Sequence, residues 1–199
     1  MDTYLTLSSN SEGQYTEKRS KFLAFAFPVS SVDEVKTIVA QLRKKYYDAR
    51  HVCYAYMLGS ERLEFRANDD GEPSGTAGKP ILGQINSNNL TNVMIAVVRY
   101  FGGIKLGTSG LIVAYRAAAA EVIANAEIIE KTVDETIEIS FDYLQLNAVM
   151  RIVKDCSPNV LSQNFDSLCT MTLVIRKDSM PELRSKLSKV QDLKILSDN

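Results

Sequence analysis

Three carboxylates, Asp69, Asp70 and Glu72, stand within four positions of one another, immediately ahead of Pro73. Side chains this close can hold a divalent cation through oxygen ligands, or work as an acid–base pair. They serve equally well as turn formers and as negative charge at the start of a following helix. Their spacing is not that of an EF-hand, which alternates its ligands and ends on a distal Glu. A second stretch with chemical potential is Gly-Gly-Ile-Lys-Leu-Gly-Thr-Ser-Gly at residues 102–110. Gly102 and Gly107 have P-loop spacing, but Thr108 stands where the P-loop lysine belongs, so no Walker motif is present. A G-x-G-x-x-G fingerprint is absent as well. What remains is a helix start, with Thr108 or Ser109 as cap and Lys105 in the loop. Its backbone amides could bind an anion, or its glycines could serve only a tight turn and close helix–sheet packing.

Other reactive side chains carry weaker signals. His51 is the sole histidine and reads as a structural or surface residue, since no serine or cysteine motif near it calls for a base. Cys53, Cys156 and Cys169 are scattered without a CxxC pair, as expected of buried thiols in a reducing compartment rather than of a metal site. Arg43, Lys44 and Lys45 close a predicted helix, where cations complement its dipole. With Arg50 they could instead form an anion-binding face. Formal net charge is −1, which excludes a global drive toward nucleic acid or an acidic membrane and leaves only local basic patches. No secretory signal is legible at the start, and no apolar run is long enough to span a bilayer. The expectation is a cytoplasmic protein.

These residues must be positioned by the elements around them. Eight of the ten glycines fall in residues 68–110, in two loops that each lead toward a predicted helix, 76–85 and 111–126. Between the loops, residues 90–100 read as a central strand whose continuous apolar run, 93–98, suits burial on both faces. Ahead of it come strands at 4–7, 14–18, 22–29, 51–58 and 62–68. A helix opens at the capping box Ser31-Val-Asp-Glu34 and carries a one-sided stripe of Val32, Val35, Ile38, Val39, Leu42 and Tyr46. From about Thr132 a second pattern begins: strand 136–141, a helix capped by Asp142, a hairpin of 160–165 and 169–176, a helix from the capping box at Ser179, and a strand at 193–196. This βαββαβ order is the ferredoxin-like split pattern. The chain is thus expected to be α+β, with domains at 1–131 and 132–199.

The two motifs DDGEPSGTAGKPILGQI and VVRYFGGIKLGTSGLIVAY, in this order and separation, resemble the IMPACT/YigZ family over residues 15–130. The βαββαβ tail resembles the second domain of the family's bacterial, YigZ-like two-domain branch. The resemblance implies an N-terminal domain of the ribosomal protein S5 domain 2-like type. It implies a C-terminal domain similar to the last domain of elongation factor G. Family members are linked to regulation of translation. Eukaryotic members use a further N-terminal domain to reach a large regulatory partner, and that partner is not expected here.

Matched onto the motif positions, the resemblance implies a binding face of Asp69, Asp70, Gly71, Glu72, Pro73, Gly75, Thr76, Gly78, Arg99, Tyr100, Gly102, Gly103, Lys105, Gly107, Thr108 and Gly110. Ser109 departs from the glycine expected at its position. The function expected is non-enzymatic. It is a translation-associated regulatory protein that meets RNA, the ribosome or a translation-linked protein partner, with no cofactor, catalytic residue or metal. Lys18, Arg19 and Lys21 would extend the patch, and Tyr100 or Phe101 would stack on a base. Two alternatives stand beside it. One is a metal-dependent hydrolase that holds its cation with Asp69, Asp70 and Glu72 and its anionic substrate with the glycine loops. The other is a purely protein-binding module.

Overall fold

The run Val93–Tyr100 is apolar through its first six residues, and the fold of the first half is built around it. The computed structural model describes residues 2–198. These fall into two units, residues 4–131 and residues 132–198 together with Asp2 and Thr3. In chain order the elements up to residue 132 are β1 (Thr3–Leu7), β2 (Ser11–Glu17), β3 (Ser20–Pro28), α1 (Val32–Lys45), β4 (His51–Leu58), β5 (Glu64–Asn68), α2 (Gly78–Ser87), β6 (Val93–Tyr100), α3 (Gly107–Ala124) and β7 (Ile128–Thr132).

Five strands form an antiparallel sheet in the order β2-β3-β6-β4-β5, which puts β6 at its centre. Successive side chains of a strand point to opposite faces. Val93, Ile95 and Val97 therefore join a core with Phe22, Cys53, Ile81, Tyr115 and Val122, on the side covered by α2 and α3. Met94, Ala96 and Val98 join a second core with Phe25, Tyr56, Val35 and Leu42, on the side covered by α1. Burial on both faces is why β6 shows no polar alternation, although its neighbours are antiparallel.

Local chemistry explains most of the boundaries. Ser31 caps α1, accepting the Glu34 amide at 3.3 Å. Glu34 reaches back one residue further than the capping box predicts and accepts the Ser30 amide at 2.7 Å. Helix α2 starts two residues later than its pattern suggests, because Thr76 is held in a turn by bonds from its amide and its hydroxyl to the Pro73 carbonyl. Strand β6 starts at Val93 rather than Leu90, and Leu90 instead forms a parallel bridge with Leu5. Strand β7, which the sequence pattern missed, pairs with β1 in a two-stranded sheet. Its residues Ile128–Thr132 are mostly exposed, so no hydrophobic alternation marks it.

The second unit contains β8 (Asp134–Asp142), α4 (Leu146–Cys156), β9 (Asn159–Phe165), β10 (Leu168–Arg176), α5 (Met180–Leu187) and β11 (Lys194–Asp198). Its sheet runs β11-β8-β10-β9, all antiparallel. The inward residues Ile137, Ile139, Phe141, Cys169, Met171 and Leu173 pack against Val149, Leu183 and Leu187 of the two helices. Asp142 and Ser179 do not act as side-chain caps. A single 3-10 turn intervenes before each helix, at Tyr143–Gln145 and Lys177–Ser179.

Candidate functional site

The acidic motif is organised as a turn. Asp70 and Gly71 both have positive φ, 42° and 85°. The Asp70 amide donates to the Asn68 side chain at 2.8 Å, an arrangement that the short amide side chain favours. Each carboxylate has its own task. Asp69 accepts from the amides of Gly75 (2.7 Å), Ala77 (3.0 Å) and Gly78 (2.8 Å), and so closes the loop and caps α2 from a distance. Burial pushes the Asp69 carboxyl up, but these amide bonds outweigh it and hold the group below its ordinary value. Asp70 accepts the Val52 amide at 2.7 Å and pairs with Arg43. Glu72 accepts from Arg99 at 2.6 Å and from the Tyr115 hydroxyl at 2.8 Å. The three therefore do not converge on one point. Among the described residues no group of three or more His, Cys, Asp or Glu side chains is placed to hold a metal ion.

Glu72 and Arg99 form the buried floor of a cavity of about 680 Å³. The connection between α1 and β4 supplies Asp48 and Arg50, and the first residue of β4 supplies His51. The β6–α3 connection supplies Tyr100, Phe101, Lys105, Leu106, Gly107 and Thr108, while Pro73 and Leu111 complete the lining. The glycines serve this construction. A Cβ on Gly102 would lie 2.0 Å from the Arg19 backbone, so only glycine lets the loop pass against the β2–β3 turn. A Cβ on Gly78 would meet the Asn68 backbone at 2.4 Å.

Helix α3 begins at Gly107, with Leu106 as a cap residue that makes no side-chain hydrogen bond. Thr108 and Ser109, the caps expected from the sequence, lie inside the first turn. The leading amides of a helix have no intrahelical partner and carry the positive end of its dipole. Gly107 and Thr108, the first residues of this helix, line the same cavity as Lys105, Arg50 and Arg99. The Arg99 guanidinium lies 5.6 Å from the Phe22 ring centroid and 5.8 Å from that of Phe101. Its Nη1 bonds Glu72, whereas its buried Nε has no hydrogen-bond partner. His51 Nδ1 is 2.8 Å from the Asp70 carbonyl oxygen. A carbonyl can only accept, so the ring proton sits on Nδ1 and Nε2 is left as the second function of the imidazole. Tyr100 donates to Asp48 at 2.7 Å, and that bond raises the phenol to about 12.

Behind the floor, Tyr115 stacks edge-on against Phe22 at 5.1 Å, and its oxygen lies 3.3 Å from Cys53 Sγ. Burial pushes both the Cys53 thiol and the Tyr115 phenol well above their ordinary values. Both stay protonated, so Cys53 is no nucleophile.

Of the residues placed on the motif face by resemblance, Glu72, Pro73, Arg99, Tyr100, Lys105, Gly107 and Thr108 come together on the cavity. Asp69, Asp70, Gly71, Gly75, Thr76, Gly78, Gly102, Gly103 and Gly110 do not line it. Several of these shape the loops around it. Sequence reasoning missed Asp48 and His51 as cavity residues. Their only signal was position, just after a basic helix end and at the first residue of a strand. A smaller groove shares Tyr100 and Phe101 with the cavity and is lined also by Arg19 and Lys21. The turn between β2 and β3 presents Arg19, and β3 carries Lys21; Lys18 and Arg19 both have positive φ, as a two-residue type I′ hairpin requires.

The Impact N-terminal domain model matches residues 18–123, a span that includes the whole cavity. The IMPACT family member YvyE of Bacillus subtilis (strain 168) is 34% identical over 149 residues, covering 75% of this chain and 69% of that protein. The IMPACT family member YigZ of Escherichia coli (strain K12) is 30% identical over 175 residues, covering 86% and 85%. A crystal structure described as that of a hypothetical protein aligns with a TM-score of 0.76 at 27% identity, over 99% of this chain and 98% of that one. The chain belongs to the IMPACT family.

Proposed function

We propose that this chain is a non-enzymatic, translation-associated regulatory protein that contacts RNA phosphates, on the ribosome or free of it, through the cavity at the start of α3. One observation carries the reading: Arg50, Arg99, Lys105 and the first residues of α3, Gly107 and Thr108, share a cavity with Tyr100 and Phe101. Cations and helix amides hold phosphates, and aromatic faces stack bases. The groove of Arg19, Lys21 and the same two rings offers a second phosphate position along the same strand. Net charge near zero makes this a local contact rather than general attraction to polyanions. The link to translation rests on the family resemblance. The same proposal takes residues 1–131 as a ribosomal protein S5 domain 2-like domain. It takes residues 132–199 as a ferredoxin-like domain resembling the last domain of elongation factor G, supported by the βαββαβ order and the β11-β8-β10-β9 sheet.

The test is co-sedimentation with ribosomes and separated subunits across a salt series, comparing the native chain with an Arg50→Glu/Lys105→Glu variant. Both positions are exposed, and the fold of the variant is checked by circular dichroism and thermal unfolding, whereas Arg99 is buried and stays untouched. Salt-sensitive co-sedimentation that disappears in the variant is the expected result. Absence of co-sedimentation at low salt, together with no binding of free single-stranded RNA at the same salt, would overturn the reading and turn attention to a protein partner.

A further inference from the structure

We infer that β5 is an interface between two copies of this chain, in which the strand pairs antiparallel with its two-fold mate about Phe65. The inference stands apart from the RNA reading, since none of the residues 63–67 lines the cavity. β5 is a free edge of the five-stranded sheet. Such an edge presents unpaired amides and carbonyls that a further strand can satisfy. Leu63, Glu64, Phe65 and Arg66 are all exposed, the two apolar ones by 84% and 58%. Arg62 donates to the side chains of Asn89 and Asn86, each at 2.7 Å, and so fastens the hairpin before this edge to the end of α2 and the turn after it. The edge is therefore held in shape before a partner arrives.

The residues at this edge complement themselves. In an antiparallel pair centred on Phe65, Glu64 stands opposite Arg66 of the second copy, and Arg66 opposite its Glu64. Directly opposed side chains share a face of the sheet, so two ion pairs form on one face. On the other, Phe65 meets its own counterpart and Leu63 meets Ala67. Within the chain, β5 sets Phe65 opposite Met57 and Arg66 opposite Tyr56. Met57 belongs to the core under α2 and Tyr56 to the core under α1, so the apolar and the charged residues lie on different faces. Neither Glu64 nor Arg66 has an ion-pair partner among the described residues.

The charge pattern favours a second copy over another occupant. An edge strand with charge of one sign repels its own copy. Here one charge of each sign stands two residues apart, so repulsion selects a register instead of forbidding the pair. Centring the pair on Glu64 or on Arg66 would set like charges face to face, whereas centring it on Phe65 matches both with their opposites. A strand of an unrelated protein would have to supply the same alternation, which a second copy carries by construction. The two-fold arrangement is closed, so assembly stops at two chains. β5 is five residues long, and a ladder of that length buries less than a standard stable interface, which makes the dimer weak and reversible.

Sedimentation equilibrium of the full chain in low salt, up to millimolar concentration, tests the pairing, with circular dichroism checking the fold of each variant. The native chain is expected to show a monomer–dimer equilibrium. Glu64→Arg and Arg66→Glu each set like charges opposite one another at both pairs, and each should weaken the dimer by at least about tenfold. Mixing the two variants one to one should restore dimers, because each chain then complements the other. The double exchange Glu64→Arg/Arg66→Glu should dimerise as the native chain does. Loss of the dimer in both single variants without recovery in the mixture would overturn the antiparallel pairing. A dimer indifferent to both reversals would place the contact elsewhere and overturn it as well. A native chain that stays monomeric throughout overturns it too, and leaves this edge to a strand of another protein.

Discussion

Arg99 and Glu72, 27 residues apart in the chain, meet at 2.6 Å at the base of the cavity, with side chains 9% and 4% exposed. The pair ties the acidic loop to the end of the central strand, and Tyr115 donates to the same Glu72 oxygen. Replacing one member of a buried pair leaves the other charge uncompensated, which costs about 3–5 kcal/mol. Glu72→Ala is therefore expected to destabilise by that amount in urea unfolding. Glu72→Gln, which keeps an acceptor for Tyr115, should cost less.

Asp69 supports the other loop through three amide bonds. Removing the side chain in Asp69→Ala should cost about 1–3 kcal/mol, since the amides of the loop and of α2 lose their charged acceptor. The pH dependence has a definite sign. The folded carboxyl lies below its ordinary value, so its contribution is complete above the unfolded value of about 3.9. That contribution is lost as pH falls from there through the folded value. Urea unfolding of native and Asp69→Asn protein between neutral and acidic pH should show the difference between them shrinking in acid.

Gly102→Ala tests the close approach of the two loops. A Cβ there would meet the Arg19 backbone at 2.0 Å, and backbone cannot swing aside as a side chain can. A loss of at least about 1–3 kcal/mol is expected, visible as a lowered midpoint in thermal unfolding. Gly83→Ala provides the control, because a Cβ there meets nothing within 4 Å.

Lys105→Ala separates a phosphate contact from a structural role. The side chain is exposed, so stability should stay within about 0.5 kcal/mol of the native protein. If RNA binds as proposed, the slope of log affinity against log salt should fall by about one. An unchanged slope would remove Lys105 from the contact.

The thiols should differ in reactivity. Cys53 and Cys169 are buried, and Cys156 is half-buried. Timed alkylation followed by mass spectrometry should label Cys156 first. Cys53, whose burial disfavours the thiolate, should react only on the timescale of unfolding.

Much of the fold was legible because short-range physics dictates it. The Ser31 cap, the apolar stripe of α1, the two-faced run of β6 and the alanine-rich face of α3 each follow from periodicity and capping within a few residues. The motif stretches marked the region of the cavity in the same way, since glycine at Gly78 and Gly102 reflects backbone contacts that no side chain tolerates. What the side chains do there was decided only in three dimensions. Asp69, Asp70 and Glu72 look alike as a cluster, yet one caps a helix, one holds a strand amide, and one neutralises a buried arginine. The difference comes from partners at Gly78, Val52 and Arg99, which the sheet order brings close and local spacing does not reveal. His51 was overlooked for the same reason: its carbonyl partner at Asp70 and its place on the cavity exist only once β4 pairs beside β6. Hydrogen bonds and charge pairs act over a few ångströms, and only the tertiary fold sets which groups come within that range.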